Sequence, residues 1–311
     1  MILSASRRTD LPAFYSEWFL HRLKQGYVLV RNPMSPSQVS RVVLSPETID
    51  CIVFWTKNPA PMLDILEEIR QMGYEFYFQF TLNPYGNAIE RYLPGRDARI
   101  EAFRRLSRAV GRSRVVWRYD PVILNDKLTP DWHMRSFREL CERIGGLTEE
   151  CVFSFVDRYS KMSRRTAGLV REIRPEEMRR IASGFAETAQ KNGIALKTCS
   201  EAIDLSSFGI EHASCIDRSR IERLAGCPID GAKDPNQRPE CGCLQSVDIG
   251  AYDTCRHGCV YCYACGGEET LRRKTRSHDP HSPLLAGHLS ESDRVTERKA
   301  ASLKKSQLTL L

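Results

Sequence analysis

The feature that most constrains the fold of this 311-residue chain is a repeated alternation of short apolar runs and amphipathic helical segments. Six apolar runs have the length of buried strands, and a helical pattern follows all but the last. These runs are residues 2–6, 51–55, 76–80, 115–117, 152–156 and 194–197. Such alternation predicts a parallel sheet with helices packed against it. Residues 27–30 and 39–44 predict a separate small hairpin.

Polar residues follow each predicted strand. Asparagine and aspartate at these places also suit turns and helix caps, whereas arginine, lysine and glutamate are poor turn formers. In (β/α) barrels the carboxyl ends of the strands converge on one face and supply the catalytic residues. We therefore predict an incomplete (β/α)6 TIM-like barrel in preference to a doubly wound sheet. The predicted catalytic residues are Arg8, Lys57, Arg118, Asp120, Asp157, Arg158 and Glu201, and the predicted cofactor-binding residues are Arg7, Asp10, Asn58 and Asn83.

The periodic pattern ends at Glu201, and this divides the chain into three predicted regions. Residues 1–201 are predicted to form the partial barrel, residues 202–276 a cysteine-rich iron–sulfur segment, and residues 277–311 a C-terminal tail. The middle region holds one helical pattern and then a stretch rich in proline and glycine. Such a segment buries too little apolar surface to fold on that alone, so metal ligation is its expected organiser.

Four of the twelve cysteines fall within residues 255–265. Cys255, Cys259 and Cys262 have the spacing C-x3-C-x2-C, and Cys265 leaves open which three of the four bind. The cytosol keeps thiols reduced, so crowded cysteines indicate metal ligation more than disulfides. Thiolates bind iron–sulfur clusters or zinc. Three on one loop favour a cluster with an open iron, since zinc usually takes two separated pairs.

The other cysteines divide by their context. Four lie in irregular sequence and are candidates for a second four-thiolate site, namely Cys199, Cys215, Cys241 and Cys243. Such a site would hold a second cluster or fasten the segment, and Cys227 is a possible substitute ligand. Three lie in strand or helix patterns and are predicted core residues, namely Cys51, Cys141 and Cys151.

The C-x3-C-x2-C spacing, with Tyr261 directly before its last cysteine, resembles the motif of radical S-adenosylmethionine enzymes. The resemblance implies a 4Fe–4S cluster on Cys255, Cys259 and Cys262, a bound S-adenosylmethionine and a low-potential electron donor. In that superfamily the motif normally follows the first strand, but here it follows the last. We therefore expect the loop to fold back over the strand ends, close to Arg8 and Arg118.

A second resemblance covers nearly the whole chain. It rests on S-A-S-R-R-T-D-L-P-A-F-Y near the start, V-F-W-T-K-N-P, C-S-E, A-S-C-I-D, and D-I-G-A-Y-D-T-C-R-H-G-C-V-Y-C-Y-A. With these motifs the chain is similar to an uncharacterised bacterial family, domain of unknown function 1848. Members of that family carry a C-terminal cysteine cluster, so the resemblance supports the cluster and leaves the reaction open.

The net charge of +7 suits a nucleic acid or an anionic small molecule as partner, although it is spread along the chain. No apolar run has membrane-spanning length and no signal-peptide pattern is present, so we expect a cytoplasmic protein without a membrane partner. The predicted function is a radical S-adenosylmethionine-type enzyme, with nucleic-acid repair or modification as one possible role. The alternatives are a non-catalytic module that binds iron–sulfur or zinc, and a hydrolase that pairs Asp120 with Glu201.

Overall fold

The computed structural model describes residues 1–157, 166 and 168–305. Its strands are β1 (Ile2–Ala5), β2 (Tyr27–Arg31), β3 (Gln38–Val43), β4 (Cys51–Thr56), β5 (Phe76–Thr81), β6 (Val115–Val122), β7 (Glu150–Phe155), β8 (Ala195–Thr198), β9 (Glu211–His212), β10 (Val247–Asp248) and β11 (Arg294–Glu297). The α-helices are α1 (Leu11–Phe14), α2 (Ser16–Gln25), α3 (Leu66–Gln71), α4 (Arg96–Val110), α5 (Pro130–Ile144), α6 (Pro175–Lys191), α7 (Arg218–Ala225) and α8 (Glu268–Arg276).

The fold is a mixed α/β arrangement around an eight-stranded sheet of order β10-β1-β4-β5-β6-β7-β8-β9. Every ladder in this sheet is parallel. The six strands predicted from the apolar runs are confirmed as β1 and β4–β8. The count of six was too low, because β9 and β10 extend the sheet at its two edges. These edges are not joined within the described residues, so the sheet is open.

A second sheet contains the predicted hairpin. Strands β2 and β3 pair antiparallel, and β11 adds to β3 in parallel. Gly26 ends α2 with a left-handed φ of 75°, a conformation that glycine adopts without a Cβ penalty and that turns the chain into β2. The region predicted as a C-terminal tail thus contributes a strand.

One face of the large sheet is covered by helices. Two of these helices begin at a capping side chain, since Asp10 accepts the Ala13 N–H at the start of α1 and Thr129 accepts the Trp132 N–H at the start of α5. Large aromatic side chains fill this layer. Phe137 of α5 stacks on Phe185 of α6 with ring centroids 4.0 Å apart. In the described chain, each helix is too short or too polar to pass through a lipid bilayer.

The opposite face of the sheet is covered by residues 213–246, and residues 251–264 continue from there beyond β10. We call these two stretches the cover. Smaller side chains of the sheet, such as Val53 and Val116, pack here against Ile216 and Leu244 of the cover. The predicted core cysteines lie within the sheet and its helices, and Cys51, Cys141 and Cys151 are fully buried. The cysteine-rich region therefore packs directly on the strands and forms part of the core.

Candidate metal and substrate site

A cavity of about 1160 Å³ lies at the carboxyl ends of the strands. Its wall includes most of the predicted polar site residues, namely Arg7, Arg8, Asp10, Lys57, Arg118, Asp120 and Asp157. It also includes all seven predicted cysteine ligands, namely Cys199, Cys215, Cys241, Cys243, Cys255, Cys259 and Cys262. The predicted return of the C-terminal loop to the strand ends is thus what the structure shows, since the motif cysteines share this cavity with Arg8 and Arg118.

Arg118 and Asp120 lie within β6, which continues to Val122 instead of ending at Trp117 as predicted. Residues two apart on a strand share a face, and the Arg118 Nε lies 3.0 Å from an Asp120 carboxylate oxygen. Arg118 also donates to the Cys215 sulfur at 2.9 Å. Burial alone would lower the pKa of Arg118, but Cys215 and Asp120 outweigh it and hold that pKa well above its usual value.

Asp10 joins the cysteine loop to the start of the chain. Its carboxylate accepts the Lys57 backbone N–H at 2.7 Å and lies 2.7 Å from the His257 Nε2. His257 stands between the first two motif cysteines, and both partners are almost fully buried. The Nδ1 atom of His257 is buried without a hydrogen-bond partner among the described residues. The predicted cofactor ligand Asp10 is thus engaged in holding the loop.

A buried network around Glu90 holds the other side of the same loop. Its carboxylate accepts from Lys57 at 2.8 Å, from Arg99 at 3.0 Å and from Asn83 at 3.2 Å. The Tyr261 hydroxyl also donates to Glu90, and Lys57 lies 2.8 Å from that hydroxyl. Burial would raise the pKa of Glu90, but Lys57 and Arg99 outweigh it and hold the pKa below its usual value. The network fixes the loop on the ends of β4 and β5.

The motif thiols lie at the cavity wall, with Cys259 buried and Cys255 and Cys262 half-buried. Burial raises the pKa of Cys259 to about 12, and burial with the charges of Cys262 and Cys259 raises that of Cys255 well above its usual value. Thiols that oppose one another's ionisation in this way are those whose charge a metal would offset. In donor type and available space, these residues fit an iron–sulfur cluster.

The remaining predicted ligands, Cys199, Cys215, Cys241 and Cys243, gather at the opposite wall, where β8 ends beneath the cover. The hydrogen bond from Cys243 lowers the pKa of the Cys241 thiol to about 6. Within the described residues, no three histidine, cysteine, aspartate or glutamate side chains already stand in a metal-binding arrangement. Binding at either group therefore requires side-chain rotation.

Several predicted residues lie apart from the cavity wall. Asn58 accepts the Ala60 N–H at 3.3 Å, as a turn residue does, and Asn83 belongs to the Glu90 network. Glu201 accepts the Phe155 N–H at 2.7 Å, and burial raises its pKa to about 7. Arg158 lies outside the described residues. Cys227 lines a different cavity of about 750 Å³ at the amino ends of β7 and β8.

Most of the residues that hold the loop could not be predicted from local sequence patterns. Glu90 and Arg99 meet through a tertiary contact between α4 and the loop before it, and neither belongs to a recognisable motif. His257 and Tyr261 stand between the motif cysteines, so their proximity to the site could have been inferred, but their partners could not. Asp248 was also missed, although it accepts hydrogen bonds from Ser6 and from the Arg7 backbone and thereby shapes the end of β1.

No curated protein matches this chain. A family model matches residues 2–264, which include β1–β10, the cover, and both groups of predicted cysteine ligands. The match leaves α8 and β11 outside it. Because it spans most of the chain, the protein belongs to the family described as Domain of unknown function (DUF1848).

Proposed function

We propose that this protein is an iron–sulfur enzyme of the radical S-adenosylmethionine type. Cys255, Cys259 and Cys262 would hold a 4Fe–4S cluster with one iron open to a further ligand. The observation that carries the proposal is the position of these cysteines. They lie on the wall of the cavity that the strand ends form, instead of on a remote part of the chain.

The proposal treats the open sheet as a partial TIM-like barrel. Residues at the carboxyl ends of β1, β4, β6, β7 and β8 all contribute to one cavity wall. A flat sheet would spread these ends along a line, so their common cavity supports curvature. The volume of about 1160 Å³ exceeds the several hundred cubic ångströms of an ordinary ligand pocket, and this leaves space for a cluster, a cofactor and a substrate.

The chain's own residues would position the loop and the ligands. Asp10 and Glu90 hold the two sides of the loop, so Lys57 acts as an anchor through its bond to Glu90. Arg7 and Arg8 are only loosely paired, each 3.9 Å from an aspartate, and their side chains are partly exposed. Their guanidinium groups suit an anionic group such as a carboxylate.

The bound cluster and S-adenosylmethionine would supply one-electron cleavage of a sulfonium carbon–sulfur bond, with the electron taken from a low-potential donor. The protein would supply orientation and exclusion of water. Asp120 is held by Arg118 and by the Ser154 hydroxyl, so it presents a fixed carboxylate at the cavity wall. Asp157 pairs with Arg238 of the cover. The cover thus forms part of the wall of the site.

The test uses anaerobically purified protein reconstituted with iron and sulfide. We expect a brown protein whose colour bleaches with dithionite, and we expect the reduced protein to cleave S-adenosylmethionine. The triple variant Cys255→Ser/Cys259→Ser/Cys262→Ser should lose the cleavage entirely. Cys227→Ser is the matched control because that cysteine lines the other cavity, and it should retain full activity.

A reduced, cluster-loaded wild type that never cleaves S-adenosylmethionine would overturn the proposal. That result would favour the non-catalytic alternative, in which metal only fastens the cover. Stoichiometric zinc on Cys255, Cys259 and Cys262 in place of iron would also contradict it. The triple variant identifies the metal of the loop, because the metal that the wild type binds and the triple variant does not is the metal held by Cys255, Cys259 and Cys262.

A further inference from the structure

Four cysteines at the wall opposite the motif loop form a compact group, which we call the tetrad: Cys199, Cys215, Cys241 and Cys243. Cys199 and Cys215 have their sulfur atoms 3.5 Å apart. Cys243 interacts through its thiol with both Cys215 and Cys241. The four thiols are therefore linked into one group by one sulfur–sulfur contact and by the interactions of Cys243.

The distance between the Cys199 and Cys215 sulfurs favours zinc over a cluster. In a tetrahedral zinc site with zinc–sulfur bonds of about 2.3 Å, neighbouring sulfurs lie about 3.8 Å apart. A cubane cluster holds its ligand sulfurs much farther apart, because four iron atoms stand between them. The separation of 3.5 Å is close to the zinc value. Closing the tetrad around one ion requires rotation of the other side chains, since no three ligands in the described residues already stand in a metal-binding arrangement.

The surroundings of the tetrad suit thiolates. The Ile216 N–H donates to the Cys243 sulfur at 3.4 Å, and Arg118 donates to the Cys215 sulfur at 2.9 Å. Arg7 interacts electrostatically with Cys243 and Cys215, and its Nη2 is buried with no partner in the part of the chain that the structure describes. A zinc ion with four thiolates carries two negative charges. Two guanidinium groups therefore lie where that charge would form.

We propose that the tetrad binds a single zinc ion in a closed tetrahedral site that fastens the cover to the sheet. Four ligands leave no open position, which is the pattern of a structural zinc site. The ligands come from the end of β8, from the loop before α7 and from the proline-rich part of the cover. One ion would thus join three segments that are distant in sequence. This site is independent of the proposed catalytic cluster.

The experiment measures metal content in the full-length triple variant Cys255→Ser/Cys259→Ser/Cys262→Ser, which removes the loop ligands. We expect one zinc per chain and no iron or sulfide. Adding Cys241→Ser/Cys243→Ser to that variant should remove the zinc, whereas adding Cys227→Ser should leave it. If the tetrad variant does not fold, zinc X-ray absorption on the triple variant decides the question. It should show sulfur neighbours at about 2.3 Å and no iron neighbour.

Two results would overturn the inference. One is iron and sulfide at the stoichiometry of a cubane cluster in the triple variant, which would make the tetrad a second cluster. The other is a triple variant that folds without bound metal. Neither result depends on cleavage of S-adenosylmethionine by the wild type, so failure of the zinc site and failure of the proposed enzyme are distinguishable.

Discussion

The two faces of the large sheet are built from different chemistry. The helical face carries large aromatic side chains such as Phe54, Phe78 and Trp117, all fully buried. The face under the cover carries smaller apolar groups and several polar ones, among them Tyr77 and Gln79. Both of these donate to the Cys215 carbonyl oxygen, at 2.7 and 2.9 Å. The helical face is held by the burial of large aromatic side chains, whereas the cover combines a smaller apolar contact with directed polar contacts.

This difference implies two kinds of stability. Apolar burial is spread over many contacts and scales with area. The cover depends on a few groups, so losing one should loosen a local region more than the whole molecule. Lys57, Glu90 and Arg99 meet Tyr261 at the seam between the helical layer and the cover. A change at this seam should both lower the stability of the whole molecule and loosen the loop locally. Changes on each face and at the seam therefore test the comparison.

The largest expected effect comes from the helical face. Phe137 is fully buried between Phe185 and Trp117, so Phe137→Ala leaves a cavity that the packed rings cannot fill. We expect a loss of about 4 kcal/mol in the free energy of unfolding. Urea denaturation followed by circular dichroism measures it. Arg138→Ala, at an exposed position of the same helix, is the control. A loss below about 1 kcal/mol for Phe137→Ala would contradict the account.

The seam should give the next effect. Glu90→Gln removes the charge that compensates buried Lys57 and Arg99, and we expect a loss of about 3 kcal/mol. Because Tyr261 is released as well, reconstituted protein should also retain less iron. Glu139→Gln is the matched control, since Glu139 forms an exposed ion pair with Arg96. Equal unfolding midpoints for Glu90→Gln and Glu139→Gln would show that the network is not stabilising.

A smaller effect depends on pH. Burial lowers the pKa of His133 to about 4, while its ring lies 2.8 Å from the Ile123 carbonyl oxygen. The unfolded chain therefore takes up a proton below pH about 6.5 that the folded chain refuses, so stability falls as pH drops from there towards 4. We expect a loss of roughly 2 kcal/mol between pH 7 and 4.5 from this residue.

Urea denaturation at pH 7 and at pH 4.5 tests this contribution, because it gives the change in unfolding free energy between the two pH values for the wild type and for each variant. His133→Gln should reduce the pH dependence by that amount, whatever its effect on stability at pH 7. His288→Gln, at an exposed position, should leave the pH dependence as in the wild type. If the unfolding free energy of His133→Gln depends on pH as strongly as that of the wild type, another group is responsible.

The apolar runs predicted the central strands because buried parallel strands leave a continuous local signal. They did not predict β9 and β10, since two-residue strands such as Val247–Asp248 have no periodicity to detect. The site shows the same division. The cysteines could be grouped as ligands from their spacing and context, and Arg118 could be predicted as a site residue because it follows an apolar run. Glu90 and Arg99 could not, because a pair fixed by tertiary contact has no local pattern.

The smallest predicted effect is the most specific to the cover. The Tyr77 hydroxyl donates to the Cys215 carbonyl oxygen and accepts the Asp217 N–H at 3.1 Å. In Tyr77→Phe, Gln79 still donates to the Cys215 oxygen, but the Asp217 N–H loses its partner. We expect a loss of about 1 kcal/mol and faster proteolysis within the cover. Tyr74→Phe is the control, because Tyr74 bonds to Leu44 away from the cover. If both variants are digested at the wild-type rate, the hydroxyl of Tyr77 does not hold the cover, and the contrast between the two faces rests on the thiols alone.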